Sequence, residues 1–207
     1  MLFLVLLGCK DSKTKSRVAN LPYYKDESFT PYWLESGSEE EESFHRISNF
    51  LTTNQDGQSI TGATFLGKIY VTDFFFTSCP GICPRMTANL KEIQNSFINE
   101  ERLLLLSHSV TPEKDSVPAL KDYATQNGAI SGKWHLVTGD RNMIYDLGRN
   151  QYFVENDLGN VKNEDDFLHT ENFLLIDGER HIRGIYNGLN RASINQLKID
   201  IGTLLAE

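Results

Sequence analysis

The chain has 207 residues, 40% of them hydrophobic, and a formal net charge of −8. That length suits one good-sized domain with a tail. The acidic balance, with no basic run interleaved with aromatics, argues against a nucleic-acid partner, whose phosphates need clustered Lys and Arg.

The first feature is MLFLVLLGCK. Residues 1–7 are apolar, then come Gly8, Cys9 and the polar run KDSKTKSR. Such a run does not span a bilayer, which needs about 20 residues in a helix. It stops at the Gly8–Cys9 step, and LLGC resembles a bacterial lipobox, in which the cysteine is lipidated and becomes the new N-terminus; no basic n-region precedes it. Residues 1–9 are therefore expected to be a lipoprotein signal-like segment. The chain is expected to be an extracytoplasmic, membrane-anchored lipoprotein of a bacterium, in a compartment where disulfides form.

Residues 10–43 read as a tether: polar, broken by Pro22 and Pro31, and ending near the acidic run at 39–42, expected to be solvated. The aromatics of YYKDESFTPYW allow part of it to pack on the domain, which is expected to occupy residues 44–207. HRISNFLTTNQDGQSIT predicts an N-terminal β-hairpin turning at NQDG. GKIYVTDFFF is a short, fully buried strand. MTANLKEIQNSFI is helical, with Met86, Leu90, Ile93 and Phe97 on one face. RLLLLSHSV is a second buried strand, and TPEKDSVPALKDYATQNG a helix stopped at Asn127–Gly128. WHLVTG is a third strand, followed by a short helix that Asp140 caps. NFLLIDGERHIRGIYNG predicts a hairpin turning at Asp177–Gly178, and RASINQLKIDIGTLLAE a terminal amphipathic helix. This is α/β order, with parallel central strands and right-handed crossovers.

The stretch FFFTSCPGICPRM, residues 74–86, places Cys79 and Cys83 at the first strand-to-helix junction. A cysteine pair there points to a thioredoxin-like fold, a central mixed sheet flanked by helices. The chain holds only three cysteines, so the pair stands apart from the singleton Cys9. Residues i and i+4 share a helix face, so the two sulfurs can converge. The partial positive charge of a helix N-terminus favours thiolates. Three uses compete: a structural disulfide, a redox couple and a pair of metal ligands. A disulfide closing so short a loop gains little entropic stabilisation. Soft thiolates select copper(I), zinc or iron–sulfur clusters, and the last two need more Cys or His ligands than the pair offers. Two cysteines and one histidine suit copper. The histidines are His45 near the tether, His108 ending a strand, His135 packed or edge-exposed within a strand, His169 in a loop, and His181 past a turn and facing solvent. Spacing alone does not choose between His169 and His108.

DFFFTSCPGICPRMTANL resembles the copper-site region of the Sco/SenC family, whose motif is Cys-Pro-x-x-Cys-Pro after an apolar strand. LLLLSHSVTPEKDSVPALKDYA resembles the family's next strand and helix, with Thr111 where Asp is usual. HTENFLLIDGERHIRGIYNG resembles its His–strand–turn segment, with Leu168 where Asp usually precedes the histidine. The resemblance covers roughly residues 44–205. It implies a membrane-anchored, thioredoxin-fold metallochaperone binding one copper ion, Cu(I) or Cu(II), through Cys79, Cys83 and His169. It also implies a role in assembling the dinuclear copper site of cytochrome c oxidase, by copper delivery or by thiol reduction. The implied partners are the oxidase's copper-site subunit or another copper carrier, with the membrane reached through lipid on Cys9. Two other readings use the same cysteines: a thiol-disulfide oxidoreductase or thiol peroxidase with Cys79 attacking, and a lipid-anchored redox sensor.

Overall fold

The computed structural model describes residues 18–154, 168 and 170–207. Along the chain the elements are α1 (Glu39–Glu42), β1 (Leu51–Asn54), β2 (Ser59–Thr61), β3 (Ile69–Phe75), α2 (Cys83–Ser96), β4 (Leu103–Ser109), α3 (Val117–Asn127), β5 (Trp134–Thr138), α4 (Arg141–Asp146), β6 (Asn172–Ile176), β7 (Ile182–Asn187) and α5 (Arg191–Leu204). The strands form one seven-stranded mixed sheet in the order β2-β1-β5-β4-β3-β6-β7. β3 runs parallel to β4, and β4 parallel to β5; β6 joins the other side of β3 antiparallel. β1 and β2 pair antiparallel, Leu51 opposite Thr61.

β3 and β4 lack polar alternation because both of their faces are covered. On one face Val71, Phe75, Leu103 and Leu105 pack with Met86, Leu90 and Ile93 of α2, Leu120 of α3, and Ile194, Leu197 and Ile201 of α5. On the other, Tyr70, Phe74, Leu104 and Leu106 pack with Phe65, Ile144, Tyr145 and Tyr152. Ser116 caps α3 by accepting from the Ala119 N–H, and Pro118 falls in its first turn, where an N–H would have no helical partner. Gly128 ends α3 at φ 72°, in the left-handed region open to glycine. Asp140 caps α4 through the Met143 N–H, as its sequence position suggested.

Two expectations fail for the same reason. The acidic run 39–42 forms the helical turn α1, with Glu39, Glu40 and Glu42 exposed as expected, but Glu41 is buried, accepting from the Tyr23 hydroxyl at 2.8 Å and the Gly37 N–H at 2.6 Å. His181, expected to face solvent, is fully buried: Nδ1 meets the His45 carbonyl at 2.8 Å and the Arg46 Nε–H donates to Nε2 at 3.1 Å. In both cases the segment from Leu21 onward lies over the β6–β7 hairpin. Arg183 on β7 donates to the carbonyls of Leu21 (2.8 Å) and Pro22 (3.2 Å), and Tyr24 bridges to Ile182. Residues expected to be tether thus cover residues expected to be exposed.

His108 is fully buried in the second layer, its ring stacked on Phe74 at 5.0 Å, and neither ring nitrogen has a hydrogen-bond partner. Burial pushes its pKa down to about 3. Between about 6.5, the ordinary value, and about 3, an unfolded chain takes up a proton that the folded chain refuses. This contribution to stability is present above that window and is lost as the pH falls through it. His108→Leu removes both the unpaired nitrogens and the titration. We expect it to raise stability by about 1 kcal/mol at pH 7 and by more at pH 4.5. Urea unfolding of the two proteins at both pH values measures this, and a gain that does not grow in acid would contradict the assignment.

Candidate functional site

β3 ends at Phe75, and Phe76 to Ile82 turn the chain into α2. The Cys79 N–H bonds to the Phe76 carbonyl at 3.3 Å, and the N–H groups of Arg85 and Met86 both reach the Ile82 carbonyl. Cys83 is the first residue of α2, and Pro84 follows at a position whose missing N–H costs nothing. Ile82, at the cap position, has no side chain able to accept from the first-turn amides. The Cys79 sulfur lies near these amides instead, and the N–H groups of Cys83, Gly81 and Ile82 favour its anion.

The two cysteines are free, and each perturbs the acidity of the other. Their acidities diverge. Burial raises the pKa of the half-buried Cys79, but the neighbouring Cys83 thiol and the three amides outweigh it and hold the thiol below its ordinary value. Cys83 is 5% exposed, and burial, together with the neighbouring Cys79 sulfur, pushes it up to about 12. Beneath them on the same face of the sheet, Asp73 is buried. Burial raises its carboxyl to about 7 against a lowering bond from Ser107, and one of its oxygens has no partner. Its negative form works against a Cys83 thiolate. The arrangement is one exposed, anion-stabilised sulfur poised beside one protonated, shielded sulfur.

The structure brings Cys79 and Cys83 together as the sequence suggests. It puts His108 in the layer across the sheet from Cys83, so the one alternative third ligand does not face the pair. His135 is buried against Asn54 Nδ2 at 3.1 Å, and His45 meets the Gln151 carbonyl at 2.8 Å. His169 and Cys9 lie outside the described residues. A second group of metal-ligand atoms, on Glu41, Glu179 and His181, falls within 4.8 Å, but Arg46 bonds to Glu179 and His181 and supplies the positive charge there. A cavity of about 850 Å³ lined by Trp33, Arg102, Asp177 and Glu207 sits beside Ile69, at the opposite end of β3 from the cysteines.

Sequence reasoning missed Asp73 and Asp115. An aspartate inside the apolar run VTDFFF was a visible signal, since a buried carboxyl needs a reason. Asp115 had no such signal, lying in the polar run TPEKD.

A thioredoxin-like sheet with two free thiols at the first strand-to-helix turn defines a dithiol protein of that fold. The SCO1/SenC family model matches residues 38–204, and the chain belongs to that family. It is 26% identical over 162 residues to a SCO1 protein homolog of Bacillus subtilis (strain 168), covering 76% of this chain and 81% of that protein. The crystal structure of a SCO1/SenC family lipoprotein from Bacillus anthracis str. Ames superposes with a TM-score of 0.68 at 28% identity, over 79% of this chain and 96% of the other. Yeast Sco1, solved with copper bound, shares the fold at a TM-score of 0.61 and 24% identity, over 79% of this chain and 90% of the other.

The unequal thiols predict ordered labelling. With limiting iodoacetamide at neutral pH, Cys79 is expected to be alkylated about 10-fold or more faster than Cys83, because the thiolate reacts and only Cys79 is both accessible and acidified. Peptide mass spectrometry reads the ratio; equal rates, or Cys83 first, would refute the asymmetry.

Proposed function

We propose that this protein is a copper-binding metallochaperone that helps to assemble the dinuclear copper site of cytochrome c oxidase. The observation that carries the reading is the pair of free thiols at the turn into α2 in a chain of the SCO1/SenC family. The donor set fits the cargo: two thiolates and an imidazole are soft ligands suited to copper(I), with copper(II) accessible through the nitrogen. Cys79, Cys83 and His169 are the ligands. Cys79 stands half exposed at the turn, where an incoming thiol of a partner can reach it and exchange ligands. Both thiols lose their protons on binding, so metal affinity falls in acid.

The asymmetry of the thiols also favours a second use of the same pair, reduction of a partner's disulfide. The Cys79 thiolate attacks one partner sulfur, forming a mixed disulfide and releasing the other as a thiolate. Cys83, giving up its proton, then displaces the remaining partner sulfur. Two electrons pass to the partner, and a Cys79–Cys83 disulfide is left. That disulfide has no thiolates to offer metal, so oxidation would gate copper loading.

Reduced protein is expected to bind one equivalent of copper(I), and Cys79→Ser or Cys83→Ser to lose most of it. His169→Ala should weaken copper(II) more than copper(I), because two thiolates alone can hold copper(I). Competition titrations with a chromophoric copper(I) chelator, and copper(II) absorption spectra, measure both; cysteine variants that bind like the parent would sink the assignment. The loaded protein should pass copper to a soluble fragment bearing the oxidase copper site while reducing insulin far more slowly than a thioredoxin assayed beside it. The reverse pattern favours the oxidoreductase reading.

We also propose that residues 1–9 are a lipoprotein signal ending at a lipidated Cys9, which holds the domain at the outer side of a bacterial membrane. No helix among the described residues is long and apolar enough to cross one. Cys9→Ser is expected to move the protein from the membrane to the soluble fraction. A parent found soluble with residues 1–8 intact would defeat this reading.

A further inference from the structure

Thr77 stands two residues before Cys79, and one side chain on another loop holds both of its hydrogen-bonding groups. Asp115 accepts from the Thr77 N–H at 3.2 Å and from Thr77 Oγ1 at 2.6 Å. The same carboxyl accepts from Ser109 Oγ at 2.5 Å and Thr111 Oγ1 at 3.0 Å, and the residue is 1% exposed. Four donors thus converge on two buried oxygens, two from the cysteine loop and two from the loop that carries Asp115 itself.

That second loop is set without help from Thr77. Val110 N–H bonds to the Phe75 carbonyl, the N–H groups of Lys114 and Asp115 bond to the Thr111 carbonyl, and Thr111 N–H bonds to Ser109 Oγ. The Asp115 carboxyl is therefore a fixed point. Among the described residues, the two bonds to Thr77 are the hydrogen bonds that tie residues 77–81 to a different element. Otherwise the turn is held by the local Cys79-to-Phe76 bond and by packing.

We infer that Asp115 is a positioning residue for the dithiol: by fixing Thr77 it presents the Cys79 sulfur to Cys83 and to the first amides of α2. This rests on the reading of Cys79 and Cys83 as the working pair. Fixing the turn in advance removes conformational freedom that would oppose bringing the two sulfurs together, for a disulfide or around one metal ion.

The test is the glutathione equilibrium of the full chain, in which the protein dithiol and oxidised glutathione give the Cys79–Cys83 disulfide and two reduced glutathiones. Copper(I) affinity and urea stability are measured on the same proteins. Thr77→Val keeps the shape and the N–H but loses the hydroxyl bond, and is expected to lower the disulfide equilibrium constant about 3- to 10-fold, with Asp115→Asn lowering it about 10-fold or more. Thr77→Ser, which keeps the hydroxyl, should stay within about 2-fold of the parent. Asn190→Ala removes the cap of α5 and no part of the clasp; it should cost stability and leave the constant within about 2-fold. Copper(I) affinity should fall in the same order. If Thr77→Val matches a parent that does form the disulfide, this inference fails and the reading of the pair stands. If Asn190→Ala lowers the constant as much as Thr77→Val does, the constant follows stability alone and the inference fails as well. A parent that forms no Cys79–Cys83 disulfide and binds no copper(I) would overturn the reading of the pair, and this inference with it.

Discussion

The parallel pairing of β3 on β4, in register from Ile69 opposite Leu103 to Phe75 opposite Ser109, is the constraint on which the site depends. Because both strands run the same way and stop level with each other, their following loops leave the same edge of the sheet. One loop carries Cys79, the other Asp115. Val110 N–H bonding to the Phe75 carbonyl extends the ladder past the last paired residues and keeps the loops in contact. A slip of β3 by one residue would turn every one of its side chains to the other face, moving Asp73 into the aromatic layer and Phe74 toward α2. Since β3 is also bonded to β6 and buried along its whole length, it has little freedom to slip.

On that rigid edge the two thiols differ through burial. Both sit at one helix N-terminus, so the helix dipole favours the anion at each. Cys83 lies inside the first core layer, where losing water costs more than the dipole returns, and the nearby Asp73 adds repulsion. Cys79 projects from the turn and collects the first-turn amides that no side chain caps. A metal ion that draws both sulfurs into thiolate form must therefore supply most of the energy at Cys83. With copper held by this pair, as proposed, the hold would be sensitive to what lies beneath Cys83 as well as to what approaches Cys79.

The opposite end of the molecule is closed by Arg183. Its side chain is 5% exposed and meets Asp177 at 3.2 Å, Glu207 at 2.9 Å and the Tyr23 ring at 4.0 Å, besides the carbonyls of Leu21 and Pro22. A buried cation costs several kcal/mol unless its donors are matched, and here Asp177 of the β6–β7 turn, Glu207 and the N-terminal segment all contribute acceptors. The segment is thereby fastened next to the start of β3, and the seven residues of β3, at about 3.3 Å each, separate that end from the cysteines by about 20 Å. With an anchor at Cys9, as proposed, the chain between Cys9 and Val18 reaches at most about 30 Å from the membrane, and the thiols lie at the far end of the strand from the point of attachment.

The sequence by itself determined the elements and the cysteine pair. The unbroken apolar runs could be stable only as strands covered on both faces, the i, i+4 spacing at a strand-to-helix turn brought the sulfurs together, and Asn127–Gly128 could only end a helix. Each is a local rule, read within a few residues. Only the tertiary structure decided what the polar residues do. Glu41 and His181 look like surface groups until residues far away in the chain fold over them, and His108 looks like a candidate ligand until the pleat turns it to the layer away from Cys83. Asp115 becomes part of the site because two parallel strands end together, a relation between residues 38 apart that no local pattern records. Burial and hydrogen-bond partners are properties of the packed chain. The chemistry that depends on them, including the difference between two cysteines with the same flanking proline, could not be read before the layers were assembled.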